Sequence, residues 1–264
     1  MVNINLHAAY ALFTNDVKEK SDPQMWQATI YTLFPSMFPG PLGHSIAGKA
    51  MQQGTWNLNA VNIRDYAPDK HKTVDDTSYG GGTGMVMRPD VIHSALSAHA
   101  QPGTKLIYAS PKGKPLTQSM IRSWLADYPK GIGILCGRYE GVDQRVLDQW
   151  HETHGLEDIS IGDYVLSGGE LAALVMLDAC VRLLPGVLDK PDATTIESFE
   201  LDLLEYPQYT KPQIWNNTVV PDVLLSGDHK SIAAWRLKEA ETITQNRRPD
   251  LWLRYEANQK PVKK

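Results

Sequence analysis

The chain has 264 residues, of which 42% are hydrophobic and 21% are charged, and its formal net charge is −4. This composition is typical of a globular protein with one large domain or two modest ones, and a core of that size needs no disulfide staples. No membrane span is predicted, because the longest apolar stretch, residues 171–188, is interrupted by Asp178, Arg182 and Pro185. The N-terminus lacks the pattern of a secretory signal, so we expect a cytoplasmic protein.

The first half of the chain predicts strands that alternate with helices. We interpret residues 1–24 as a weakly ordered extension, residue 25 as the start of the first domain, and residues 71–87 as a long glycine-rich loop. The other elements are predicted as a strand from residue 25, a helix ending near 54, a strand over 56–63, a helix over 89–100, a strand over 105–110, a helix over 119–128, a strand over 131–136 and a helix over 143–150. Such alternation is typical of βαβ units and a mostly parallel sheet.

Residues 159–184 are the most informative stretch. An alternating apolar run predicts a strand that stops at Gly168 and Gly169, and the almost entirely apolar residues after it predict a buried helix. Asp178 and Arg182 lie four residues apart and therefore share one face of that helix. They are either a buried ion pair, which contributes little net stability after desolvation, or a sign that Arg182 has a function.

Three of the predicted strands end in special loops, at residues 109–111, 137–141 and 162–169. Ligands of parallel sheets bind beyond the carboxyl ends of the strands, and glycine lets the backbone approach a ligand closely. Each glycine alone is more typical of an ordinary turn. Three such loops on one sheet indicate a shared ligand cleft.

The composition changes after residue 188. Residues 189–200 are polar and are interpreted as a linker between domains, with a helix predicted from about 228 to 245 in the segment that follows. From residue 225 to the end there are nine basic and five acidic residues, which leaves this part near +4 and the rest near −8. The charge indicates either a solvated helical surface or a site for a polyanion.

Neither the cysteines nor the histidines predict a metal site. Cys136 and Cys180 each lie in an apolar run, which favours buried free thiols over a disulfide. His151 and His154 are one residue short of the spacing that places two imidazoles over one helical turn, so we interpret them as surface histidines.

Several motifs together resemble one protein family. They are NIRDYA (62–67), HKTVDDTSYGGGTGM (71–85), LCGRYEGVD (135–143), SIGDYVLSGGEL (160–171), PGVL (185–188), YPQYTKP (206–212) and VLLSGDHKSI (223–232). In this order they are similar to the bacterial tRNA (guanine-37-N1)-methyltransferases of the TrmD type, over roughly residues 25–251.

The resemblance implies an α/β domain of the SPOUT type at residues 25–188, with its C-terminal part threaded into a trefoil knot, and a small helical tRNA-binding domain at 201–264. It also implies S-adenosylmethionine as methyl donor, obligate homodimers with each active site at the subunit interface, and dependence on Mg²⁺, for which no protein site is visible. Matched to the family's motifs, the cofactor-binding residues are Ala109, Ser110, Pro111, Gly137, Tyr139, Glu140, Gly141, Ile161, Gly162, Tyr164, Leu166, Gly168 and Gly169.

The same resemblance assigns the catalytic residues. Arg182 matches the arginine that meets guanine O6, and Glu197 stands where the family has an aspartate as general base. Glu is a departure from that pattern, and Glu200 and Asp192 are the alternatives. The tRNA contacts implied are Glu205 to the guanine base and Lys230, Arg236 and Lys238 to phosphates.

We therefore expect an S-adenosylmethionine-dependent enzyme that methylates N1 of guanosine-37 in tRNA. Two other functions stay open at this point. One is a SPOUT methyltransferase that acts on ribose 2′-hydroxyls, which the acidic linker residue disfavours. The other is a tRNA-binding protein that has lost catalysis, which the Glu197 departure makes worth testing.

Overall fold

The structure is a computed structural model, and it describes residues 25–82, 84–188 and 197–259. The chain divides into two compact units, Met1–Val187 and Leu188–Lys264. We call them the sheet unit and the C-terminal unit. The predicted N-terminal extension and most of the predicted linker lie outside the described residues.

A five-stranded parallel sheet forms the centre of the sheet unit, with the strand order β2-β1-β6-β5-β7. The strands in chain order are β1 (Trp26–Thr32), β2 (Trp56–Asn62), β3 (Asp75–Thr77), β4 (Met85–Met87), β5 (Lys105–Pro115), β6 (Gly131–Cys136) and β7 (Glu157–Ser160). Strands β3 and β4 form a separate antiparallel hairpin. The expected mixed α/β class with a mostly parallel sheet is confirmed.

Helices cover both faces of this sheet. They are α1 (Ser45–Gln52), α2 (Pro89–His99), α3 (Gln118–Asp127), α4 (Gln144–His154) and α5 (Glu170–Val181). Local signals set their ends: Pro89 occupies the first turn of α2, and the hydroxyl of Thr117 accepts a hydrogen bond from the Met120 N–H at the start of α3. Gly155 ends α4 in the left-handed conformation.

Alternate residues of each strand feed two hydrophobic cores. In β6, Ile134 packs into the core under α1, α3 and α5, whereas Leu135 packs into the core under α2 and α4. In β1, Ile30 and Tyr31 divide in the same way. The sheet is thus the middle of three layers, and its central strand β6 is buried along its whole length on both faces, as is typical of parallel sheets.

The C-terminal unit is helical with a small hairpin. Its elements are β8 (Ile214–Trp215), β9 (Thr218–Val219), α6 (His229–Arg247) and α7 (Pro249–Gln259). Its core is built around Leu203, Ala240 and Tyr255. The Thr244 hydroxyl is fully buried and accepts from the Leu204 N–H at 2.8 Å, which fastens the segment before Glu205 to α6.

Two strand ends predicted from the sequence are wrong. Strand β5 was expected to stop before Pro111, but after a bulge Lys114 and Pro115 pair with β7. The bulge removes Pro111 from the ladder, so its missing N–H does no harm. Strand β7 ends at Ser160, although the apolar alternation continues to Leu166, because the Ser160 hydroxyl and Gly162 form a tight turn.

The segment 71–87 is not a continuous loop, because it contains β3 and β4. Strand β4 also bonds to a distant segment: the Met87 N–H donates to the Gly141 carbonyl at 2.9 Å, and the Glu140 N–H donates to the Met85 carbonyl at 2.9 Å. These partners lie more than fifty residues apart, so local pattern gave no sign of them. Helix α7, which begins at Pro249, was also not predicted.

Candidate active site

The carboxyl ends of β5, β6 and β7 lie side by side. Ala109 of β5 pairs with Cys136 of β6 on one side and with Ile159 of β7 on the other. The loops after these positions therefore emerge at one edge of the sheet. This is the edge at which parallel sheets bind their ligands.

A cleft of about 240 Å³ lies at this edge, between the three loops. All thirteen residues predicted to bind the cofactor line it: Ala109, Ser110, Pro111, Gly137, Tyr139, Glu140, Gly141, Ile161, Gly162, Tyr164, Leu166, Gly168 and Gly169. The structure thus gathers in one place residues that are up to sixty positions apart in the chain. Their role as cofactor contacts stays a prediction.

Two glycines are required by the shape of the cleft. The Gly169 N–H donates to the Gly137 carbonyl at 2.9 Å, and a Cβ at Gly169 would lie 2.8 Å from the Cα of Cys136. Gly162 has a φ of 151°, which an L side chain rarely adopts, and a Cβ there would meet the ring of Tyr164 at 2.4 Å. The backbone of Gly169 thus lies against the backbone of β6, and that of Gly162 lies against the Tyr164 ring, too close in both cases for a side chain to fit.

A buried ion pair between Arg138 and Glu170 lies beside the loops that follow β6 and β7. Glu170, the first residue of α5, is only 1% exposed, and its carboxylate meets the Arg138 guanidinium at 2.9 and 3.2 Å. The Thr32 hydroxyl donates to the same carboxylate at 2.8 Å. Arg138 also donates to the Ser167 carbonyl at 3.1 Å and lies 4.4 Å over the Phe34 ring. One side chain thus connects the loops after β6 and β7.

Comparison with known proteins decides the family. The family model of tRNA (guanine-1)-methyltransferase TrmD matches residues 26–254. A relative from Rhodospirillum rubrum is 57% identical over 231 residues, covering 88% of this chain and 94% of its own length. The chain belongs to the TrmD family.

Two further relatives support this assignment. The one from Rhodopseudomonas palustris is 56% identical over 230 residues, which cover 86% of this chain and 90% of the relative. The one from Pelagibacter ubique is 52% identical over 234 residues, which cover 89% of this chain and 100% of the relative. All three are named tRNA (guanine-N(1)-)-methyltransferase. The family expected from the motifs is confirmed.

Sequence reasoning about this TrmD-family chain missed the Arg138–Glu170 pair. Arg138 lies inside the GRYEG motif and Glu170 follows the two glycines, so both were in view without an assigned role. The available signal was a charged residue in the first turn of an otherwise mostly apolar helix. The cleft lining also includes Tyr108, Lys112, Gln144, Asp158 and Ser160, none of which was predicted.

Cys136 ends β6 beside the cleft, and its side chain is fully buried. Burial, together with the negative charge of Glu170, raises the pKa of this thiol well above its ordinary value, against the opposing charge of Arg138. A thiol that stays protonated is a poor nucleophile. The structure confirms that Cys136 and Cys180 are buried free thiols.

The first predicted catalytic residue, Arg182, directly follows α5 in the sheet unit. It is partly buried, and its N–H donates to the Asp178 carbonyl at 3.2 Å. Asp178 itself is exposed, so an ion pair of these two residues would not be buried within a single chain. The exposed positions of α5 follow one face, with Leu171 52% and Val175 49% exposed ahead of Asp178 and Arg182.

The second predicted catalytic residue, Glu197, belongs to the C-terminal unit and is partly buried in a turn. Its carbonyl accepts from the Glu200 N–H at 3.2 Å. Of the two alternatives, Glu200 lies in the same turn, whereas Asp192 lies outside the described residues. The choice of Glu197 as the base stays a prediction.

The residues predicted to contact tRNA all lie in the C-terminal unit. Lys230 is in the first turn of α6, and the exposed side chains of Arg236 and Lys238 lie further along the same helix. Arg236 stacks 4.8 Å over the Tyr206 ring, and the Glu205 carboxylate accepts from the Gln208 amide at 2.6 Å.

Within residues 25–82, 84–188 and 197–259, no group of three or more His, Cys, Asp or Glu side chains is arranged to hold a metal ion. The two histidines of the HETH segment have other contacts. His151 pairs with Asp158 at 2.9 Å, and His154 stacks on Trp150 at 4.0 Å. None of the helices in these ranges is long and apolar enough to cross a bilayer.

Proposed function

We propose that the protein transfers a methyl group from S-adenosylmethionine to N1 of a guanosine in tRNA, and that this guanosine is residue 37. The observation that carries the proposal is the TrmD match over residues 26–254 of the chain. The shared name of the relatives specifies guanine N1 in tRNA. Position 37 rests on the resemblance of the motifs.

The cleft of the sheet unit has the chemistry that S-adenosylmethionine requires. Ala109, Pro111 and Leu166 supply apolar walls for an adenine ring, and the glycine loops expose backbone groups for its edge. The lining also carries both signs of charge, with Glu140 and Asp158 as carboxylates and Lys112 and Arg138 as cations. A zwitterionic amino acid attached to a sulfonium needs partners of both signs.

When bound, S-adenosylmethionine supplies a methyl group that is already activated by the positive sulfur. The protein must then hold guanine N1 in line with that methyl group and remove the N1 proton. We assign proton removal to Glu197, whose carboxylate replaces the family's aspartate. We assign Arg182 to the guanine O6, where negative charge develops as N1 loses its proton. The position of Arg182 at the end of α5, half-buried, suits a cation that must face a desolvated base.

We further propose that two chains share each active site. The support is the face of α5 that displays Leu171 and Val175 and then leads to Arg182. Exposed aliphatic side chains along a helix are typical of a face that another chain covers. Light scattering should give the mass of a dimer, and Leu171→Glu should shift the protein toward monomer with loss of turnover. A wild-type monomer with full activity would contradict this proposal.

The trefoil knot implied by the family is also proposed for this chain. Its support is the close packing of the loop that ends at Gly169 against the loop that begins at Gly137, through the 2.9 Å hydrogen bond between them. Refolding after full denaturation should be slow, because threading must precede these contacts.

The direct test of the activity uses labelled S-adenosylmethionine and a tRNA with guanosine at positions 36 and 37. We expect 1-methylguanosine in the nuclease digest. A 2′-O-methylated nucleoside would instead assign the ribose chemistry, and no methylated nucleoside at all would indicate a tRNA-binding protein without catalysis.

The base is tested with Glu197→Gln, which keeps the size of the side chain and removes its proton-accepting charge. We expect turnover to fall at least about 100-fold, in line with the usual contribution of a general base, while calorimetry still detects cofactor binding. Glu200→Gln is the matched control from the same turn. If it is the variant that loses turnover, Glu200 rather than Glu197 is the base.

Arg182 is tested with Arg182→Ala and Arg182→Lys. We expect both to reduce turnover more than they reduce the melting temperature, because a charge that stabilises the transition state contributes little to folding. Lys keeps the charge and should recover part of the rate. A large loss of stability with unchanged turnover per folded molecule would return Arg182 to a structural role.

A further inference from the structure

A second cleft lies wholly inside the C-terminal unit and has a volume of about 430 Å³. Three pieces of chain form it: the proline-rich segment 206–213, the short helical turn at Asp222–Leu225 and the first half of α6. We call it the aromatic cleft, because Tyr206, Tyr209 and Trp235 line it. None of the described residues that line it belongs to the sheet unit.

The aromatic rings of this cleft are placed to receive another flat group. Tyr209 is 47% exposed, and its ring lies 6.2 Å from that of Trp235 at an angle of 57°. Neither ring belongs to the core formed by Leu203, Ala240 and Tyr255. Two large rings that face an open cleft, outside the core, present π surfaces that water solvates poorly.

The charges around the aromatic cleft are positive. Lys211 and Arg236 line it, and among its described lining residues there is no acidic side chain. The Arg236 guanidinium lies 4.8 Å over the Tyr206 ring, so it extends the stack of flat groups and carries a charge at the same time. Aromatic rings interleaved with cations are the pattern by which proteins hold single-stranded nucleic acid.

The aromatic cleft is also connected to a predicted RNA contact. Gln208 lines the cleft, and its side-chain amide donates to the Glu205 carboxylate at 2.6 Å. Glu205 is the residue expected to contact the guanine base. A nucleotide that contacts Gln208 in the cleft would therefore be connected through one hydrogen bond to Glu205, the residue predicted to contact the guanine base.

We propose that the aromatic cleft binds an unstacked base from the single-stranded loop of the RNA substrate, by stacking against Trp235 and Tyr209 with its phosphates beside Lys211 and Arg236. This inference rests on the proposed tRNA substrate and adds a second base-binding site to it. It implies that the C-terminal unit holds the RNA by base stacking as well as by charge. The contributions of stacking and of charge to the affinity depend differently on the salt concentration.

The test measures the affinity of a fluorescent anticodon stem-loop by anisotropy over a series of salt concentrations. Trp235→Leu and Tyr209→Leu remove a ring and keep an apolar side chain. We expect each to weaken binding about 10-fold at every salt concentration, with the slope of log K against log salt unchanged, since stacking of one base contributes about 1–3 kcal/mol. The matched control on the same helix is Lys238→Gln, which should weaken binding most at low salt and reduce the slope by about 0.7–0.9.

An abasic substitution in the stem-loop identifies the bound base. Where the missing base is the one that occupies the cleft, wild-type protein should lose about 10-fold in affinity. Trp235→Leu should lose nothing more on the same RNA, because the partner of the ring is already gone. Circular dichroism and cofactor calorimetry on each variant separate this outcome from unfolding.

The proposal is overturned if both leucine variants bind the stem-loop as wild type does. It is also overturned if they reduce the slope of log K against log salt as Lys238→Gln does. The same holds if Trp235→Leu binds every abasic stem-loop more weakly than the wild-type protein does. These outcomes are independent of the methylation assay. Absence of 1-methylguanosine would refute the proposed activity and leave the measured affinities to decide the base-binding site.

Discussion

The sheet unit and the C-terminal unit present their sites in different ways. In the sheet unit the cleft is formed by backbone at the ends of paired strands, and Ala109, Cys136 and Ile159 are held in register by the sheet itself. In the C-terminal unit the aromatic cleft is formed by side chains on a small core. The first arrangement suits a small ligand that is held rigidly, and the second suits a long ligand that makes separate contacts. Substitutions should therefore act on stability and cofactor binding in the sheet unit, and on RNA affinity in the C-terminal unit.

The largest effect is expected at Glu170. Replacing it with Gln leaves the Arg138 guanidinium partly buried without its counter-charge, which typically costs about 3–5 kcal/mol. The melting temperature should fall by roughly 10 °C in calorimetry. Adding Arg138→Met should recover part of the loss. The control is Glu152→Gln at an exposed position of α4, which should leave the melting temperature unchanged. Equal melting temperatures for the two single variants would show that the buried pair does not hold the unit together.

A smaller effect is expected for Gly169→Ala. The new methyl group would lie 2.8 Å from the Cα of Cys136 and 3.1 Å from the Gly137 nitrogen, so backbone must shift at the edge of the cleft. Overpacking of this kind costs about 1–3 kcal/mol, and we expect at least about a 10-fold loss of S-adenosylmethionine affinity by calorimetry. Gly155→Ala at the end of α4 is the control: it strains a left-handed residue with open space around it, away from the cleft. If both variants bind the cofactor equally well, the cleft does not depend on the close approach at Gly169.

The smallest effect concerns pH. Burial raises the pKa of Glu157, but the hydrogen bonds and charges of Lys105 and Lys114 outweigh it, so the pKa lies below its ordinary value of 4.5. A carboxyl with a lowered pKa stabilises the fold above pH 4.5, and that stability is lost as the pH falls below it. Glu157→Gln should thus lower the melting temperature by about 2 °C at pH 7 and by less at pH 3.5. A difference that grows on acidification would contradict this sign.

How much of this could be read from the sequence differed between the two units. Some strand ends in the sheet unit carry a local signal, because the apolar run of β6 stops at Cys136 in the chain itself, whereas the run after Ile159 continues past the end of β7 at Ser160. The thirteen cofactor residues, which the resemblance to the family supplied, line one cleft. The pairing of β4 with residues 140–143 and the ion pair between Arg138 and Glu170 depend on contacts that no local pattern contains.

In the C-terminal unit the local signal is weaker. Helix α7 buries only part of a short surface, with Leu251 and Tyr255 inward, so its apolar period is too sparse to predict. The resemblance assigns Arg236 to phosphates, without a structural partner. Its place over Tyr206, beside Trp235, is a property of how three segments meet and not of any one of them.

The two buried thiols can report on the opening of the sheet unit alone. Both cysteines of the chain, Cys136 and Cys180, lie in the sheet unit and are fully buried, and burial raises the pKa of Cys180 to about 12. An alkylating reagent can reach them only when that unit opens, so the rate of labelling reports the free energy of its opening events. The C-terminal unit contains no cysteine and is silent in this experiment. Labelling followed by mass spectrometry would therefore time the opening of the sheet unit without interference from the part of the chain assigned to RNA.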